Sequence, residues 1–173
     1  ALESHWRITP KDARITGDAS YGFMRWTLAP FFRMILRVKI RGIGNVPKSG
    51  PTILAANHLS HVDPLVVILA SRRRTHYLAK DGHFRNVALR TFMRATGQIE
   101  TNRETGGADA LSSAAVVLHA NRALGIFPEG TRSKKTEPPF LLPGKTGIAR
   151  LAASYPDVPV VPIGLTGTRE FMT

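Results

Sequence analysis

The chain has 173 residues, of which 43% are hydrophobic and 21% charged, a composition that suits a single globular domain with a buried core. It contains no cysteine, which excludes disulfides, thiolate metal sites and a cysteine nucleophile. The net charge of +12 predicts an anionic partner, which could be nucleic acid, a phospholipid surface or phosphorylated small molecules.

The N-terminal residues 1–18 mix acidic and basic side chains without an apolar run, so the sequence indicates no signal peptide. No window approaches the roughly 20 uninterrupted apolar residues of a membrane-spanning helix, and we do not expect the chain to cross a bilayer. We divide the chain into an N-terminal segment, 1–36, and one domain, 37–173. Because the last residues follow a strand-like run with no closing element, we expect this domain to continue beyond residue 173.

The stretch 20–37 predicts a basic amphipathic helix with Trp26 beside its basic face. Pro30 is expected to kink this helix or to split it in two. Such a helix either lies in the headgroup region of an anionic membrane or packs on the core as an ordinary surface helix, and the sequence leaves both open. Its two faces are formed by Arg25, Arg33 and Arg37 on one side and by Phe23, Met24, Leu28, Phe31, Phe32 and Ile35 on the other.

Short apolar runs then alternate with longer amphipathic stretches. This alternation predicts a single α/β domain with a largely parallel central sheet flanked by helices. The predicted strands are 37–41, 52–57, 75–79, 98–101, 123–127 and 159–164, and the predicted helices are 64–71, 83–95, 108–121 and 144–154.

Polar clusters follow three of these strands. The sequence NHLSHVD follows strand 52–57, PEGTRS follows strand 123–127, and TNR follows strand 98–101. In open α/β sheets, ligands bind beyond the carboxyl ends of the strands. The three clusters therefore predict a shared pocket at that edge of the sheet.

His58 and Asp63 are the first candidate pair in this pocket. On one continuous helix their five-residue separation would rotate the side chains apart by about 140°, so they can meet only if a turn precedes a helix that begins near Pro64. Asp63 could instead be the N-cap of that helix. If its carboxylate bonds one imidazole nitrogen, the other nitrogen of His58 can act as a general base.

A metal site is the competing interpretation of this cluster. His58, His61 and Asp63 have suitable ligand types for a metal-dependent hydrolase, but the other histidines form no second compact group, so metal is the weaker hypothesis. A third hypothesis is a non-enzymatic basic module that binds lipid or nucleic acid. The chain has no interleaved basic and aromatic platform for bases, so we expect no nucleic-acid partner.

The segment FPEGTRS suggests an anion site. Gly130 permits a tight turn with exposed backbone N–H groups, and Glu129 and Arg132 are expected to face the pocket mouth. Such a turn with a guanidinium can bind phosphate. The alternative is a surface turn in which Glu129 and Arg132 form a local ion pair. Arg103 and Lys80, each near the end of another strand, are candidates for further anion contacts.

Two other residues do not complete a motif. Ser60 lies two residues from His58, where a tight turn rarely allows a nucleophile and base to meet, and the chain has no GxSxG sequence. Lys145, in PGKTG, resembles part of a P-loop, but the residue six positions earlier is Pro139 rather than glycine. We therefore do not expect ATP binding.

From about residue 37 to 168 the sequence resembles the lysophospholipid acyltransferases related to 1-acylglycerol-3-phosphate acyltransferase. Four motif blocks in order carry the resemblance. They are the N-H-x-S-x-x-D block at Asn57, His58, Ser60 and Asp63, the second block at Gly97, Ile99 and Arg103, the F-P-E-G-T-R-S block from Phe127 to Ser133, and the last at Val161, Pro162 and Ile163.

The resemblance implies a fold of the glycerolphosphate-acyltransferase type and a transfer without an acyl-enzyme. His58 would deprotonate the acceptor hydroxyl and Asp63 would orient the imidazole. No cofactor is implied beyond the co-substrate, acyl-CoA or acyl carrier protein, and no metal. The acceptor, a lysophospholipid such as lysophosphatidic acid, would bind at Lys80, Arg103, Glu129, Gly130, Thr131 and Arg132.

The resemblance also implies a peripheral enzyme on the cytoplasmic face of an anionic phospholipid membrane. Asn102 precedes Arg103 where family members often have an acidic or apolar residue, so the acceptor headgroup stays open. Acyl-chain length, the choice of donor and the oligomeric state are likewise not determined by the sequence.

Overall fold

The computed structural model describes residues 8–11, 18–35, 37–80, 98–101 and 107–170. Helices and strands alternate along most of this part of the chain. The helices are α1 (Asp18–Ile35), α2 (Asp63–Ser71), α3 (Gly107–His119) and α4 (Gly147–Ser154), and the strands are β1 (Thr52–Ala56), β2 (Thr75–Lys80), β3 (Ile99–Thr101), β4 (Ala123–Ile126) and β5 (Val160–Ile163). Short 3₁₀ turns lie at Ile43–Asn45 and Thr168–Glu170.

The strands form one sheet in the order β3-β2-β4-β1-β5, and every neighbouring pair is parallel. The predicted α/β class and parallel sheet are therefore confirmed. Strands β1 and β4 are adjacent although two other strands separate them in sequence, and Ala55 pairs with Ile126 at their carboxyl ends. The segments that follow these two strands consequently start side by side.

Both faces of the sheet are covered, as parallel sheets require. On β1, Ile53 points to one face and its neighbour Leu54 to the other, and each belongs to a separate core cluster. Helices α3 and α4 cover the first face and α2 covers the second. The first cluster joins Ile53, Leu111, Ala114, Val117, Leu118, Leu124 and Leu151, and the second joins Leu54, Ala56, Val66, Val67, Tyr77, Ala123 and Leu165.

The predicted strand 37–41 is wrong. Arg37 adopts a left-handed conformation with φ 45° where α1 ends, and 38–42 pairs with no strand of the described sheet. Val38 packs against the second core cluster, so its apolar side chain is buried without a strand ladder. The alternation of apolar and basic residues indicates that side chains here are buried. It does not indicate whether a neighbouring strand is present to form hydrogen bonds.

The other predicted elements of the described chain are present, with boundaries shifted by one to three residues. The predicted helix 83–95 lies outside the described residues. Helix α1 runs unbroken through Pro30, so the alternative in which this proline splits the helix is wrong.

Several of the described apolar side chains of helix α1 are exposed. Phe23 is 68% exposed and Trp26 79% exposed. On the predicted basic face, the Arg33 guanidinium donates a hydrogen bond to the Leu69 carbonyl of α2 at 2.5 Å. None of the described helices has the length and hydropathy needed to cross a bilayer.

Candidate active site

Two loops meet where β1 and β4 end. The Ser133 N–H, after β4, donates a hydrogen bond to the His58 carbonyl, after β1, at 2.8 Å. The side chain of Asn57 fixes the same region to the segment after β5, because its amide donates to the Leu165 carbonyl at 3.0 Å and accepts from the Leu165 N–H at 2.6 Å. Polar groups that follow β1 and β4 are therefore held together, as the sequence predicts, and the segment after β5 joins them, whereas Asn102 and Arg103 of the third predicted cluster lie outside the described residues.

His58 and Asp63 are in direct contact. His58 Nδ1 lies 2.9 Å from Asp63 Oδ2, and the same oxygen accepts the N–H groups of Leu59 at 2.5 Å and Ser60 at 2.7 Å. These local bonds fold residues 58–63 into the turn that the pair needs. Val62, not Asp63, is the N-cap of α2, so the N-cap interpretation of Asp63 is wrong.

The Asp63 side chain is fully buried, yet it is held in its charged form. Burial raises the pKa of this carboxyl, but hydrogen bonding from His58, from Thr168 and from the two backbone N–H groups outweighs burial and brings the pKa below its ordinary value. A buried carboxylate fixed in this way can stabilise a positive charge on His58.

The plane of the His58 ring is set by an aromatic stack. Its centroid lies 4.0 Å from that of Phe127 with 12° between the ring planes, and Phe127 in turn stacks on Tyr77 at 5.2 Å. Gly125 makes room for this stack, because a Cβ there would lie 2.2 Å from the Tyr77 ring. The sequence analysis did not anticipate this role for Phe127 and Tyr77, which depends on β2, β4 and β1 being neighbours.

Glu129 is 5% exposed and uses both carboxylate oxygens on backbone groups. Oε1 accepts the His58 N–H at 3.2 Å, and Oε2 accepts the Leu142 N–H at 3.1 Å. Within the described residues it forms no ion pair with Arg132, the partner suggested by their spacing. The carboxylate therefore connects the proposed base to the loop that follows the FPEGTRS segment.

The remaining predicted residues have different surroundings. Gly130 makes a tight turn with φ 68° and donates its N–H to the Phe127 carbonyl at 2.9 Å. Thr131 is exposed, and the half-buried Arg132 makes no hydrogen bond or ion pair to the described chain. Lys80 closes β2, but its side chain is not described, and Arg103 lies outside the described residues.

The metal hypothesis gains no support from the described chain. No group of three or more His, Asp or Glu side chains there has the arrangement to hold a metal ion. His61, which that hypothesis requires, is exposed on the turn, whereas Asp63 is directed to His58.

The arrangement suits proton transfer from an alcohol. The His58 side chain is 17% exposed, and its Nδ1 is occupied by a carboxylate. Its Nε2 makes no hydrogen bond to the described residues and can accept a proton. Hydrogen positions follow from this bonding pattern: Nδ1 carries the proton and donates it to Asp63.

The chain is similar to known acyltransferases. A family model described as Acyltransferase matches residues 37–166. The chain is 28% identical to a 1-acyl-sn-glycerol-3-phosphate acyltransferase of Borreliella burgdorferi, over 79% of this chain and 54% of that protein. It is 30% identical to human 1-acyl-sn-glycerol-3-phosphate acyltransferase alpha, over 79% of this chain and 48% of that protein.

Among solved structures, the fold is similar to that of the 1-acyl-sn-glycerophosphate acyltransferase PlsC of Thermotoga maritima. The TM-score is 0.68 at 23% identity, and the match covers 88% of this chain and 61% of that one. The chain spans about half the length of the curated relatives it matches.

Proposed function

The chain belongs to the acyltransferase family, and on this premise we propose that it holds the catalytic centre of a transferase acting on a lysophosphatidic acid-like acceptor. The observation that carries the proposal is the 2.9 Å contact between His58 Nδ1 and a buried Asp63 carboxylate, which leaves Nε2 available as a base. The names of the related proteins support the choice of acceptor.

In the proposed reaction, His58 Nε2 takes the proton from the free hydroxyl of the acceptor as its oxygen attacks the carbonyl carbon of an acyl thioester. Asp63 stabilises the resulting imidazolium through Nδ1–H. The tetrahedral intermediate then expels the thiolate, which takes the proton from Nε2 and leaves as a free thiol. General-base help contributes about 10²- to 10⁴-fold, so positioning of the two substrates must supply the rest.

No covalent acyl-enzyme is needed, because the acceptor oxygen attacks the donor directly. The chain has no cysteine, and Ser60 is fully buried beside the Asp63 carboxylate, where its N–H is bonded at 2.7 Å. The donor is acyl-CoA or acyl-loaded acyl carrier protein, both of which present a thioester.

We place the acceptor phosphate at the turn formed by Gly130, Thr131 and Arg132, with Arg103 and Lys80 as further cationic contacts. The half-buried Arg132 supports this placement because its guanidinium has no partner within the described chain. Glu129 contributes by holding His58 rather than by touching the acceptor.

We further propose that the protein acts peripherally on the cytoplasmic face of an anionic phospholipid membrane. The exposed aromatic side chains of α1 and the net charge of +12 support attachment to such a surface. A lipid acceptor would then reach His58 without leaving the membrane surface.

The test follows thiol release from acyl-CoA in the presence of lysophosphatidic acid. Because the chain has no cysteine, a thiol-reactive reagent detects only the released coenzyme A and does not react with the protein. We expect His58→Ala to lower the rate about 10²- to 10⁴-fold and His61→Ala, a matched change on the exposed part of the same turn, to leave it nearly unchanged. Equal rates for wild type and His58→Ala would remove His58 from the mechanism.

A panel of acceptors and donors refines the proposal. Lysophospholipids with different headgroups and a glycolipid would be compared as acceptors, each with acyl-CoA and with acyl carrier protein as donor. Preference for lysophosphatidic acid supports the stated acceptor, whereas equal use of a phosphate-free acceptor contradicts it.

A further inference from the structure

Lys145 lies across the turn at Gly130. Its backbone N–H donates a hydrogen bond to the Pro128 carbonyl at 2.8 Å, which places the residue beside the FPEGTRS segment. Its side chain then continues over Gly130, where a Cβ would lie 3.1 Å from Nζ, 3.2 Å from Cε and 3.3 Å from Cδ. The absence of a side chain at Gly130 therefore gives the lysine its path.

The described residues do not neutralise the ammonium group of Lys145. No carboxylate of the described residues lies within 4.0 Å of it, and it makes no other polar contact there. Glu129, the acidic residue of this turn, already accepts backbone N–H groups with both of its carboxylate oxygens. The positive charge thus remains available to a ligand.

Arg132, two residues after Gly130, is a second cation that the described residues do not neutralise. Its guanidinium also makes no hydrogen bond or ion pair with the described residues. The turn begins at Phe127, whose ring stacks on His58 with centroids 4.0 Å apart. Two cations without counter-ions among the described residues therefore flank a turn that contacts the proposed base through Phe127.

We infer that Lys145 binds a phosphate group of a substrate, together with Arg132, across the Gly130 turn. The inference rests on the proposed function, which supplies two phosphate-bearing substrates. Lysine binds phosphate as a point charge, whereas arginine adds directional hydrogen bonds, so the two side chains are complementary. The phosphate belongs either to the acceptor or to the coenzyme A part of the donor, and kinetics distinguish these sources.

The kinetic test compares Lys145→Gln with Lys134→Gln, an exposed lysine in the following loop whose loss changes the net charge equally. We expect KM for the substrate that presents the phosphate to rise about tenfold or more in Lys145→Gln, with a much smaller change in kcat. A rise for lysophosphatidic acid alone assigns the acceptor, and a rise for acyl-CoA alone assigns the donor. Equal KM changes in both variants would overturn the inference.

A phosphate-free acceptor gives a further control. With monoacylglycerol in place of lysophosphatidic acid, Lys145→Gln should match wild type in acceptor KM if the residue binds the acceptor phosphate. The result would be different if acceptor KM rose equally with both acceptors while KM for acyl-CoA stayed unchanged. Lys145 would then support the structure of the protein rather than bind a phosphate.

A chemical test does not depend on turnover. Lysine side chains would be labelled by reductive methylation with and without glycerol 3-phosphate and with and without coenzyme A, and the sites quantified by mass spectrometry. We expect Lys145 to be protected by one of these ligands while Lys134 is not. If Lys145 is protected from methylation but the protein shows no acyl transfer, the phosphate site is supported and the proposed function is rejected. Absence of protection by both ligands would reject the phosphate site.

Discussion

Glu129 holds His58 by its backbone. One carboxylate oxygen accepts the His58 N–H at 3.2 Å, while the other accepts the Leu142 N–H at 3.1 Å. The opposite side of the His58 residue is fixed by the Ser133 N–H, which donates to its carbonyl at 2.8 Å. Two residues of the FPEGTRS segment therefore fix the main chain of the proposed base, one at its N–H and the other at its carbonyl.

This contact predicts that Glu129→Gln will lower kcat more than it changes KM for the acceptor. An amide presents only one oxygen, so one of the two N–H groups loses its acceptor, at a cost of about 1–3 kcal/mol for a buried group. We expect kcat to fall about tenfold to hundredfold and Tm to fall by a few degrees. Steady-state kinetics and thermal unfolding would measure both. A large rise in acceptor KM with unchanged kcat would instead assign Glu129 to substrate binding.

Asp63→Asn should remove a pH-dependent part of the stability. Folding lowers the pKa of Asp63 below its ordinary value of 3.8, so the folded state binds this proton less readily than the unfolded state. The carboxylate therefore stabilises the protein above about pH 4, and this contribution is lost as the pH falls through the folded pKa. Urea unfolding of wild type and variant at several pH values should show a stability difference that shrinks in acid. A difference independent of pH would contradict the explanation.

The same substitution should slow the reaction, because an amide cannot compensate the charge that develops on His58. We expect the rate of thiol release to fall about 10²-fold or more. The measurement is made near neutral pH, where the folded variant predominates. Retention of wild-type activity would mean that the imidazole needs no carboxylate.

Gly125→Ala should destabilise the aromatic stack beside His58. The new Cβ would lie 2.2–2.7 Å from atoms of the Tyr77 ring, so the ring or the strand must shift, at a cost of about 1–3 kcal/mol. We expect Tm to fall by roughly 3–10 °C. The matched control is Gly164→Ala, since a Cβ at Gly164 would meet nothing within 4 Å. Similar Tm changes in the two variants would show that the close contact with Tyr77 is not what destabilises Gly125→Ala.

Replacing exposed aromatic residues of α1 should weaken membrane attachment without unfolding the domain. We expect the double variant Phe23→Ser, Trp26→Ser to bind vesicles of phosphatidylcholine and phosphatidic acid roughly tenfold or more weakly, because two large apolar side chains no longer enter the lipid. Co-sedimentation would measure binding. Val160→Ser, at a 40% exposed position on β5, is the control and should bind as wild type. Unchanged binding of the double variant would remove α1 from the membrane contact.

The sequence was informative about local structure. Hydrophobic runs and their spacing predicted five of the described strands, the described helices between them and a parallel sheet. This was possible because burial on both faces of the sheet imposes a local pattern on each strand. The turn that joins His58 to Asp63 is local as well, since its hydrogen bonds come from Leu59 and Ser60. A carboxylate five residues from an imidazole, next to a proline that predicts a helix start, was sufficient to suggest the pair.

The partners of Glu129, Phe127 and Lys145 were decided only by the tertiary structure. Glu129 could have paired with Arg132 by spacing, but the adjacency of β1 and β4 brought the His58 N–H to it instead. The same adjacency placed Phe127 on the His58 ring. Residues 37–41 have the pattern of a strand, but none of the described strands pairs with them. Periodicity reports which side chains are buried, whereas strand order and polar partners depend on the packing of segments far apart in the chain.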